Sequence, residues 1–391
     1  MSKKLKIAIV TGSRSEFGIL SPLIRLAEED KDVDSFLFVT GSHLALSQGD
    51  TASEIEEMGL NIYKKLPILL DGDKNIHMAL AMGLGMISFS QSLEELRPDI
   101  MVILGDRFEI FSAASAAMAL EIPIAHIGGG ETDFANCLDG NIRNAITKLA
   151  AVHFVSNALY EKRVKAMGEE PCRVINTGMP SIDGITKNLL SKEELEKSLN
   201  IKLESPVFLI TYLPVGLERE QTFAELNALF EALTDIEENY TAIFTLANAD
   251  ASGRRINEKI RTYAKTNDKV KVFQNLGRKR YLSAINCSSV VIGNSSSGVI
   301  ETPSFKKPAV NIGQRQKGRI HPANVIDTQG ERREIADAIK KALYDKEFAE
   351  SLKELKNPFG DGNASAKILN TLKNLTYDRR LIEKKLIILS N

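Results

Sequence analysis

The feature that most constrains the fold is a series of short, continuously apolar segments, each followed by a longer segment with helical periodicity. The apolar segments are residues 6–10, 35–40, 100–105, 122–127 and 152–156 in the first half, and 207–212, 241–247, 270–273, 290–293 and 308–313 in the second. Runs without alternation between apolar and polar residues are typical of strands buried on both faces of a parallel sheet. Their alternation with helices predicts βαβ units and an α/β fold.

The length and the restart of the pattern predict two domains. A chain of 391 residues exceeds the size of one ordinary core. We place an N-terminal Rossmann-like domain at residues 1–180 and a C-terminal Rossmann-like, nucleotide-binding domain at 181–372, which opens with Ser191 and Glu194 spaced as a capping box. A C-terminal helix over 373–391 is expected to pack back on the first domain. Ligands of doubly wound folds bind at the carboxyl ends of strands, so we expect the two domains to face a cleft.

The composition argues against several classes of protein. With 43% hydrophobic residues, 26% charged residues and a net charge of −1, the chain has no electrostatic basis for binding nucleic acid or a membrane surface. The start "MSKKLKIAIV" is too short in its apolar run for a signal peptide, and we expect no stretch near the roughly 18 apolar residues of a membrane helix. Three scattered cysteines and five histidines without ligand spacing favour a reducing cytoplasm and predict neither disulfides nor a metal site.

The first strand leads into "TGSRSEFG", residues 11–18. A glycine-bearing turn before a helix exposes backbone N–H groups and the positive end of the helix dipole, which suits phosphate, and Arg14 would add a bidentate grip. An ordinary βα turn is the alternative. Neither a G-x-G-x-x-G fingerprint nor a G-x-x-x-x-G-K-[ST] loop is present.

Acidic residues follow several strands of the first half. Asp106 comes after the strand at 100–105, Glu131 follows the three glycines of "HIGGGE", and Asp139 stands four residues before Arg143 on a predicted helix. A helix N-cap at Asp106 and a structural ion pair between Asp139 and Arg143 are the simpler interpretations. Three carboxylates at one sheet edge are costly unless one is protonated or an arginine intervenes, and acid/base chemistry uses that arrangement.

The second half contains "GNSSSGVIE" directly after an apolar strand. Ser295, Ser296 and Ser297 are predicted to open a helix, with Glu301 one turn inside it. Hydroxyls and a helix N-terminus suit a diphosphate, and a carboxylate suits the hydroxyls of a ribose. A serine-rich N-cap is the alternative. The stretch therefore predicts a nucleotide diphosphate site.

The motifs in order carry a family resemblance. "GSRSEFG", "GDRFE", "HIGGGE", "LDGNIRNAITKLAAVHFV", "NTGMPSID", "NADASG", "GNSSSGVIETP" and "NIGQRQKGR" together resemble the hydrolysing UDP-N-acetylglucosamine 2-epimerases of the sialic-acid and legionaminic-acid pathways. The likeness implies a two-domain fold like the GT-B glycosyltransferases, a UDP-sugar substrate, no nicotinamide or other cofactor, and a homodimer or tetramer. Such enzymes eliminate UDP across C1–C2 to give a glycal and then add water, which releases a free 2-epimerised sugar such as N-acetylmannosamine.

The resemblance also implies roles for particular residues. Catalytic positions of the family fall on Asp106, Asp139 and Arg143. Nucleotide-binding positions fall on Arg14, Ser295, Ser296 and Glu301, and two arginines of "QRQKGR" are expected near the diphosphate, namely Arg315 and Arg319.

Two positions depart from the family pattern. Gly128 stands where the family usually has Glu or His, and Leu213 stands where it has the histidine of an "HPV" motif. Three explanations remain open. In the first, Glu131 or Asp139 transfers the proton, with a water beside Gly128. In the second, the substrate has a larger C4 group and a deoxygenated C6, as in UDP-N,N′-diacetylbacillosamine. In the third, the chain binds UDP-sugar with little turnover.

Two other functional classes share the predicted fold. A GT-B glycosyltransferase would require an acceptor, and a UDP-sugar sensor would bind without reacting. The absence of Trp and of a basic amphipathic run gives the transferase little support. We expect an active epimerase acting on UDP-N-acetylglucosamine, with the diacetylbacillosamine derivative as the alternative substrate.

Overall fold

The computed structural model describes residues 3–45, 51–70, 72, 75–132, 137–215, 219–247 and 251–387. Its internal contacts divide the chain into two compact units. The first unit contains the described residues of 1–132, 137–183 and 359–391, and the second contains those of 184–358.

The first unit is built on a seven-stranded parallel sheet with the order β3-β2-β1-β4-β5-β6-β7. Its strands are β1 Leu5–Thr11, β2 Val33–Thr40, β3 Ile62–Leu66, β4 Ile100–Leu104, β5 Ile124–Ile127, β6 Val152–Val155 and β7 Val174–Asn176. The helices between them are α1 Arg14–Glu29, α2 Ala52–Glu57, α3 Asn75–Leu96, α4 Phe108–Ala119, α5 Cys137–Leu149 and α6 Ala158–Ala166.

The second unit repeats the plan with six parallel strands in the order β10-β9-β8-β11-β12-β13. Its strands are β8 Val207–Thr211, β9 Thr241–Thr245, β10 Val270–Phe273, β11 Val290–Gly293, β12 Ala309–Ile312 and β13 Val325–Thr328. The helices are α7 Lys192–Leu199, α8 Arg219–Thr234, α9 Ala251–Lys265, α10 Gly277–Cys287, α11 Ser297–Ile300, α12 Arg332–Tyr344 and α13 Lys346–Lys353. The capping box predicted at Ser191 and Glu194 is confirmed at the start of α7.

Both sheets reverse their strand order at one point, between β1 and β4 in the first and between β8 and β11 in the second. Ligands of doubly wound sheets bind outside the carboxyl ends of strands at such a switch point. The loops that follow β1, β4, β8 and β11 are therefore the places to look for function.

Each predicted strand segment contains a strand, and three strands escaped prediction. These are β3, β7 and β13, and all three lie at an edge of their sheet. An edge strand is covered less completely than a central one, so its sequence lacks a continuous apolar run. The alternating burial of β3, "IYKKL", shows this directly.

The end of the chain differs from prediction. Residues 359–372 belong to the first unit rather than the second, because Ile368, Leu369 and Leu372 of helix α14, Ala364–Lys373, are buried in the core of the first sheet. A continuous helix over 373–391 is wrong for the described part of that segment. Helix α14 ends at Lys373, a short helix α15 covers Arg379–Ile382, and 383–387 are not helical.

Polar contacts fix this C-terminal segment to the first sheet. The Arg173 guanidinium donates to the backbone carbonyl of Leu381 at 2.7 Å and to two neighbouring carbonyls. The buried carboxylate of Glu169 accepts from His153 Nε2 at 3.0 Å and from Lys384 Nζ at 2.8 Å. Although burial opposes it, hydrogen bonds from His153, Lys148 and Lys384 lower the pKa of Glu169 to about 2, so this group stays charged.

Helix α3 contradicts the expectation that no stretch has the length and composition of a membrane helix. Among the described residues, the segment Ile76–Leu96 satisfies both criteria, and only 28% of its most apolar window is buried. Length and composition alone do not distinguish a membrane span from a helix that packs against protein.

We expect Leu372→Ala to lower the free energy of unfolding by about 2–5 kcal/mol, because it removes a fully buried side chain from the first core. Thermal and denaturant unfolding would measure the loss. Lys367→Ala, at a half-exposed position of the same helix, is the matched control and should change little. Equal effects of the two substitutions would show that α14 does not belong to that core.

Candidate functional site

The carboxyl edge of the first sheet brings Asp106 and Arg143 together. Asp106 follows β4 after Gly105, and Arg143 reaches it from α5. Arg143 Nη2 forms a short hydrogen-bonded ion pair with Asp106 Oδ2, and the exposed fractions of the two side chains are 8% and 17%. A guanidinium buried in this way is held by a charge-assisted hydrogen bond, which is among the strongest contacts in proteins.

Arg143 also contacts the loop that follows β5. Its Nη1 donates to the carbonyl of Gly128 at 2.8 Å and lies 3.8 Å from Glu131 Oε2. Glu131 is buried, and its Oε1 has no hydrogen-bond partner within the described ranges. In this arrangement an arginine lies between two of the three carboxylates that the sequence singled out, Asp106 and Glu131.

Gly128 and Asp139 complete the surroundings of this cluster. Gly128 has φ of +87°, and a Cβ there would lie 3.4 Å from Arg143 Nη1 and 3.8 Å from Glu131 Oε1. A side chain at position 128 would therefore stand directly beside Arg143 and Glu131. Asp139 is half-buried one turn before Arg143 on α5.

In the turn after β1, a backbone N–H group that the sequence suggested would be accessible is already hydrogen-bonded. The backbone N–H of Gly12, which we expected to be available to phosphate, donates to Glu16 Oε2 at 2.7 Å. Arg14 opens α1 and is half-exposed, and its Nε lies 3.2 Å from Glu54 Oε2. The structure thus places Arg14 at the carboxyl edge, and its role as a phosphate ligand stays a prediction.

Sequence reasoning missed an acidic cluster beneath this turn. Glu16 and Glu109 are both buried, and a Cβ on Gly12 would lie 2.4 Å from Glu109 Cγ. Burial and the charge of Glu109 raise the pKa of Glu16 to about 8. Glu109 Oε1 also accepts from Arg107 Nε at 2.6 Å. The only sequence signal was "GDRFE", in which Glu109 looks like an ordinary acid in the first turn of a helix.

Arg107 is the cation that this cluster positions. Its side chain is 39% exposed, while its Nε is fixed by the buried Glu109. Although burial acts in the opposite direction, the carboxylates of Glu109, Glu16 and Asp139 raise the pKa of Arg107. A fixed guanidinium at the switch point is suited to bind an anionic or carbonyl group of a ligand.

In the second unit, Asn294 joins the loops that follow β8 and β11. Its side chain accepts from Leu213 N at 2.7 Å and donates to Leu213 O at 2.8 Å. Gly293 precedes it with φ of +132°, and a Cβ there would lie 2.0 Å from Thr211 O, so only glycine fits. Leu213 is thus held at the carboxyl edge of the second sheet.

The serine loop, residues 294–297, differs from the predicted helix N-terminus. Helix α11 is a single turn, and a 3₁₀ turn over Thr302–Phe305 follows it. The hydroxyl of Ser297 donates to Glu301, and Ser295 Oγ accepts from Ser297 N at 3.3 Å. Burial raises the pKa of Glu301. Because the helix is short, hydroxyls rather than a helix dipole are what this loop offers an anion, and Ser296 is half-buried among them.

Tyr281 of α10 is a second residue that sequence reasoning missed. Burial and the charge of Glu301 raise its pKa to about 12, while hydrogen bonding to Ser297, Thr211 and Ser295 acts in the opposite direction. The phenol therefore lies against the serine loop and stays protonated near neutral pH. No motif marked it, because a tyrosine on a helix is usually a core residue.

The segment after β12 brings further cations to the serine loop. Arg315 Nη1 and Gln316 Nε2 donate to Asn294 O at 3.1 and 2.8 Å. Arg319 is half-buried in the same segment, and its N–H donates to Gln316 O at 3.3 Å. The structure places Arg315 at the loop as predicted, whereas a contact between the Arg319 guanidinium and a diphosphate stays a prediction.

No metal-binding arrangement is found in the part of the chain that the structure describes. Three or more His, Cys, Asp or Glu side chains with suitable geometry do not occur together there. The carboxylates described above are instead arranged around arginines. The absence of a metal remains a prediction.

Comparisons with known proteins give a family match and several similar relatives. Residues 25–373 match the family described as UDP-N-acetylglucosamine 2-epimerase. A GDP/UDP-N,N′-diacetylbacillosamine 2-epimerase (hydrolyzing) of Campylobacter jejuni is 42% identical, over 97% of each chain. A UDP-N,N′-diacetylbacillosamine 2-epimerase (hydrolyzing) of Legionella pneumophila is 30% identical, over 97% of this chain and 98% of the relative.

A solved structure shows the same fold. The UDP-GlcNAc 2-epimerase of Neisseria meningitidis, bound to UDP-GlcNAc, superposes with a TM-score of 0.75 at 19% identity, over 95% of this chain and 100% of that one. The predicted fold class, two Rossmann-like units of GT-B type, is confirmed.

Glu16→Gln should make the protein more stable at alkaline pH. The carboxyl of Glu16 has its pKa raised from 4.5 to about 8, so between these values the unfolded chain ionises while the folded chain keeps the proton. Stability of the wild type must then fall as pH rises through this window. The neutral amide removes that dependence, and its oxygen still accepts from Gly12 N–H. Melting curves across the window would show it.

Glu29→Gln, an exposed position of the same helix, serves as the control for this experiment. It should leave the pH dependence of the wild type unchanged. If Glu16→Gln also melted with the pH dependence of the wild type, the carboxyl of Glu16 would have to be charged in the folded protein.

Proposed function

Because the chain belongs to the UDP-N-acetylglucosamine 2-epimerase family, we propose that it is a hydrolysing 2-epimerase whose substrate is UDP-N,N′-diacetylbacillosamine. Relatives that carry this activity in their names are 42% and 30% identical over nearly the whole chain. The observation that carries the choice of substrate is Gly128, where the missing side chain leaves room beside Arg143 and Glu131. A sugar with an acetamido group at C4 requires more space than one with a hydroxyl.

The reaction we propose begins with removal of the C2 proton by Glu131. The electron pair of the C2–H bond forms the C1–C2 double bond of a glycal, and the bond from C1 to the diphosphate oxygen breaks. Water then adds its hydroxyl to C1, and a proton returns to C2 on the opposite face, which yields the epimer. Glu131 suits the first step because its Oε1 is buried without a partner among the described residues, and general bases contribute about 10²–10⁴-fold.

The other residues of the first edge have supporting roles in this proposal. Asp106 holds Arg143 through their ion pair, and Arg143 supplies a fixed positive charge beside the reacting carboxylate. Asp139 is assigned as the second carboxylate, which returns a proton to C2. Arg107, held by Glu109, is assigned to the substrate as well, although the sequence did not single it out for this role.

We assign the nucleotide to the second unit, and the role of Arg14 as a phosphate ligand stays the prediction made from the sequence. Hydroxyls of Ser295, Ser296 and Ser297 would bind the diphosphate together with Arg315 and Arg319. Glu301 would accept hydrogen bonds from the ribose, and the Ser297 hydroxyl orients its carboxylate. One relative is named for both GDP and UDP sugars, so the preference for guanine or uracil in the nucleotide also has to be tested.

UDP-N-acetylglucosamine is the second candidate substrate. It is favoured by the description of the family and by the solved structure that contains it. With either substrate we infer a cytoplasmic enzyme that needs no cofactor, nucleic acid or membrane and that acts as a homo-oligomer. These inferences rest on the composition and on the family.

Glu131→Gln and Asp106→Asn should each lower kcat by at least about 100-fold. The first removes the base, and the second releases Arg143 from its ion pair. The affinity for UDP should stay within a few-fold of the wild type, since neither residue is assigned to the nucleotide. UDP release measures turnover, and calorimetry measures UDP binding. Glu95→Gln, at an exposed position, is the control. Full activity of Asp106→Asn would contradict the catalytic assignment.

Direct comparison of substrates tests the proposed specificity. Incubation without an acceptor, followed by NMR of the free sugar, should show at least about tenfold higher kcat/KM for UDP-N,N′-diacetylbacillosamine than for UDP-N-acetylglucosamine. GDP-N,N′-diacetylbacillosamine should be tested in the same series of substrates. Preference for UDP-N-acetylglucosamine would make Gly128 a tolerated variation. A requirement for an acceptor would indicate a glycosyltransferase, and binding without turnover would indicate a sensor.

A further inference from the structure

The segment between β12 and β13 carries two arginines and belongs to neither a helix nor a strand. We call residues 314–319 the QRQKGR segment; its backbone forms turns. The side chains of Arg315 and Gln316 donate to the carbonyl of Asn294 in the serine loop. Without helical or sheet hydrogen bonds, such a segment depends on side-chain and turn contacts for its position. A residue that fixes it therefore also fixes what it presents to the serine loop.

His321 follows this segment and connects it to the edge of the second sheet. Its Nε2 lies 3.0 Å from the carbonyl oxygen of Gln316, and its Nδ1 lies 2.7 Å from Asp327 Oδ2 on β13. Asp327 is held in turn, because its Oδ1 accepts from Asn311 Nδ2 of β12 at 2.7 Å. The imidazole thus joins the QRQKGR segment to two neighbouring strands.

The atoms that face the two ring nitrogens determine the charge of His321. A backbone carbonyl oxygen and an ionised carboxylate both only accept hydrogen bonds. A neutral imidazole has one N–H group and satisfies one of these acceptors, whereas the imidazolium has two and satisfies both. The two contacts exist together only when His321 is a cation.

The charges around His321 act on this proton in two directions. The hydrogen bond to Asp327 raises the pKa of His321 above its usual range, and the hydrogen bond to the Gln316 carbonyl acts in the same direction. Burial and the positive charge of Arg319 oppose them. Since the net direction is upward, the cation that the geometry requires is also the form that persists furthest toward neutral pH.

We propose that His321, as an imidazolium, is a positioning residue for nucleotide binding, because it holds Arg315 and Gln316 of the QRQKGR segment on the serine loop. This inference rests on the proposed function, which assigns the diphosphate to that loop. Loss of the proton leaves one of the two contacts unmade and releases the segment from β13 or from its own turn. The nucleotide affinity is therefore complete below the raised pKa of His321 and falls as pH rises through it.

The first experiment compares the wild type with His321→Gln, which has a neutral side chain at every pH. Calorimetry with UDP from about pH 6 to about pH 9 spans the titration of this histidine. The variant should bind UDP about tenfold more weakly than the wild type at the acidic end and within about twofold of it at the alkaline end. The ionisation of UDP itself is common to the two proteins and cancels in the ratio of their dissociation constants. With the sugar nucleotide, KM should change and kcat should not.

Asp327→Asn tests the partner of His321. The amide keeps an oxygen that accepts from Nδ1–H and removes the charge, so the midpoint of the loss of affinity should move to lower pH by about one unit. Asp337→Asn is the matched control, because Asp337 is an exposed carboxylate of α12 whose ion-pair partner is Arg333. It should leave the midpoint where it is in the wild type.

Gln316→Met separates positioning through the segment from a direct effect of the histidine charge on the nucleotide. This substitution removes the contact of the Gln316 side chain with Asn294 and keeps the backbone carbonyl that His321 contacts. In this background His321→Gln should weaken UDP binding by less than about threefold at about pH 6. An undiminished tenfold effect would contradict positioning through the segment.

A final measurement uses the wild type alone and is independent of whether the variants fold. Burial lowers the pKa of His43, His126 and His153, so the histidine NMR resonance that titrates above the usual range is expected to be that of His321. By reciprocity, saturation with UDP should raise its midpoint by about one unit. A midpoint that UDP does not move, or a ratio of dissociation constants that is the same at every pH, would overturn this inference alone. A wild type that binds no UDP at any pH would overturn the proposed function as well.

Discussion

The carboxyl edge of the first sheet depends on one buried guanidinium. Arg143 reaches from α5 to Asp106 after β4 and to the Gly128 carbonyl and Glu131 after β5, so it joins three segments that are far apart in the chain. A buried carboxylate without a countercharge costs several kcal/mol, and here two of them share one cation. The contacts of this one side chain therefore account for the arrangement of both loops.

The same contact makes two neighbouring carboxylates unequal. Arg143 is hydrogen-bonded to Asp106, whereas it lies 3.8 Å from Glu131 Oε2 and leaves Glu131 Oε1 without a partner among the described residues. The two acids are thus unequal: one is committed to positioning the arginine, and the other is the base in the reaction we propose. Differences of environment between neighbouring carboxylates are what separate their roles in catalysis. A Cβ at position 128 would lie 3.8 Å from Glu131 Oε1, and Gly128 supplies no side chain there.

The sequence predicted what burial dictates and failed where a contact depends on tertiary geometry. Central strands were found because both of their faces are covered, whereas the edge strands β3, β7 and β13 lack the pattern. Asp106 and Glu131 were expected near each other because strand ends share an edge, whereas Arg143 was singled out by its spacing from Asp139 and by the family resemblance. The contact of Tyr281 with the serine loop depends on the directions of side chains from two separate elements, and no residue spacing encodes those directions.

Helical periodicity likewise shows that a face is apolar without showing what covers it. Ile368 and Leu372 of α14 have the pattern of any amphipathic helix, and nothing in that pattern says that their partner is the first sheet rather than the second. The buried acids Glu16 and Glu109 illustrate the converse case, because Glu109 fills the space that a side chain at Gly12 would occupy. Burying two acids side by side is unfavourable and keeps Glu16 protonated near neutral pH, yet Glu16 fixes the turn after β1 and Glu109 fixes Arg107. A structural core would be more stable with apolar residues at positions 16 and 109. We therefore explain this buried acid pair by the cation that it orients, Arg107.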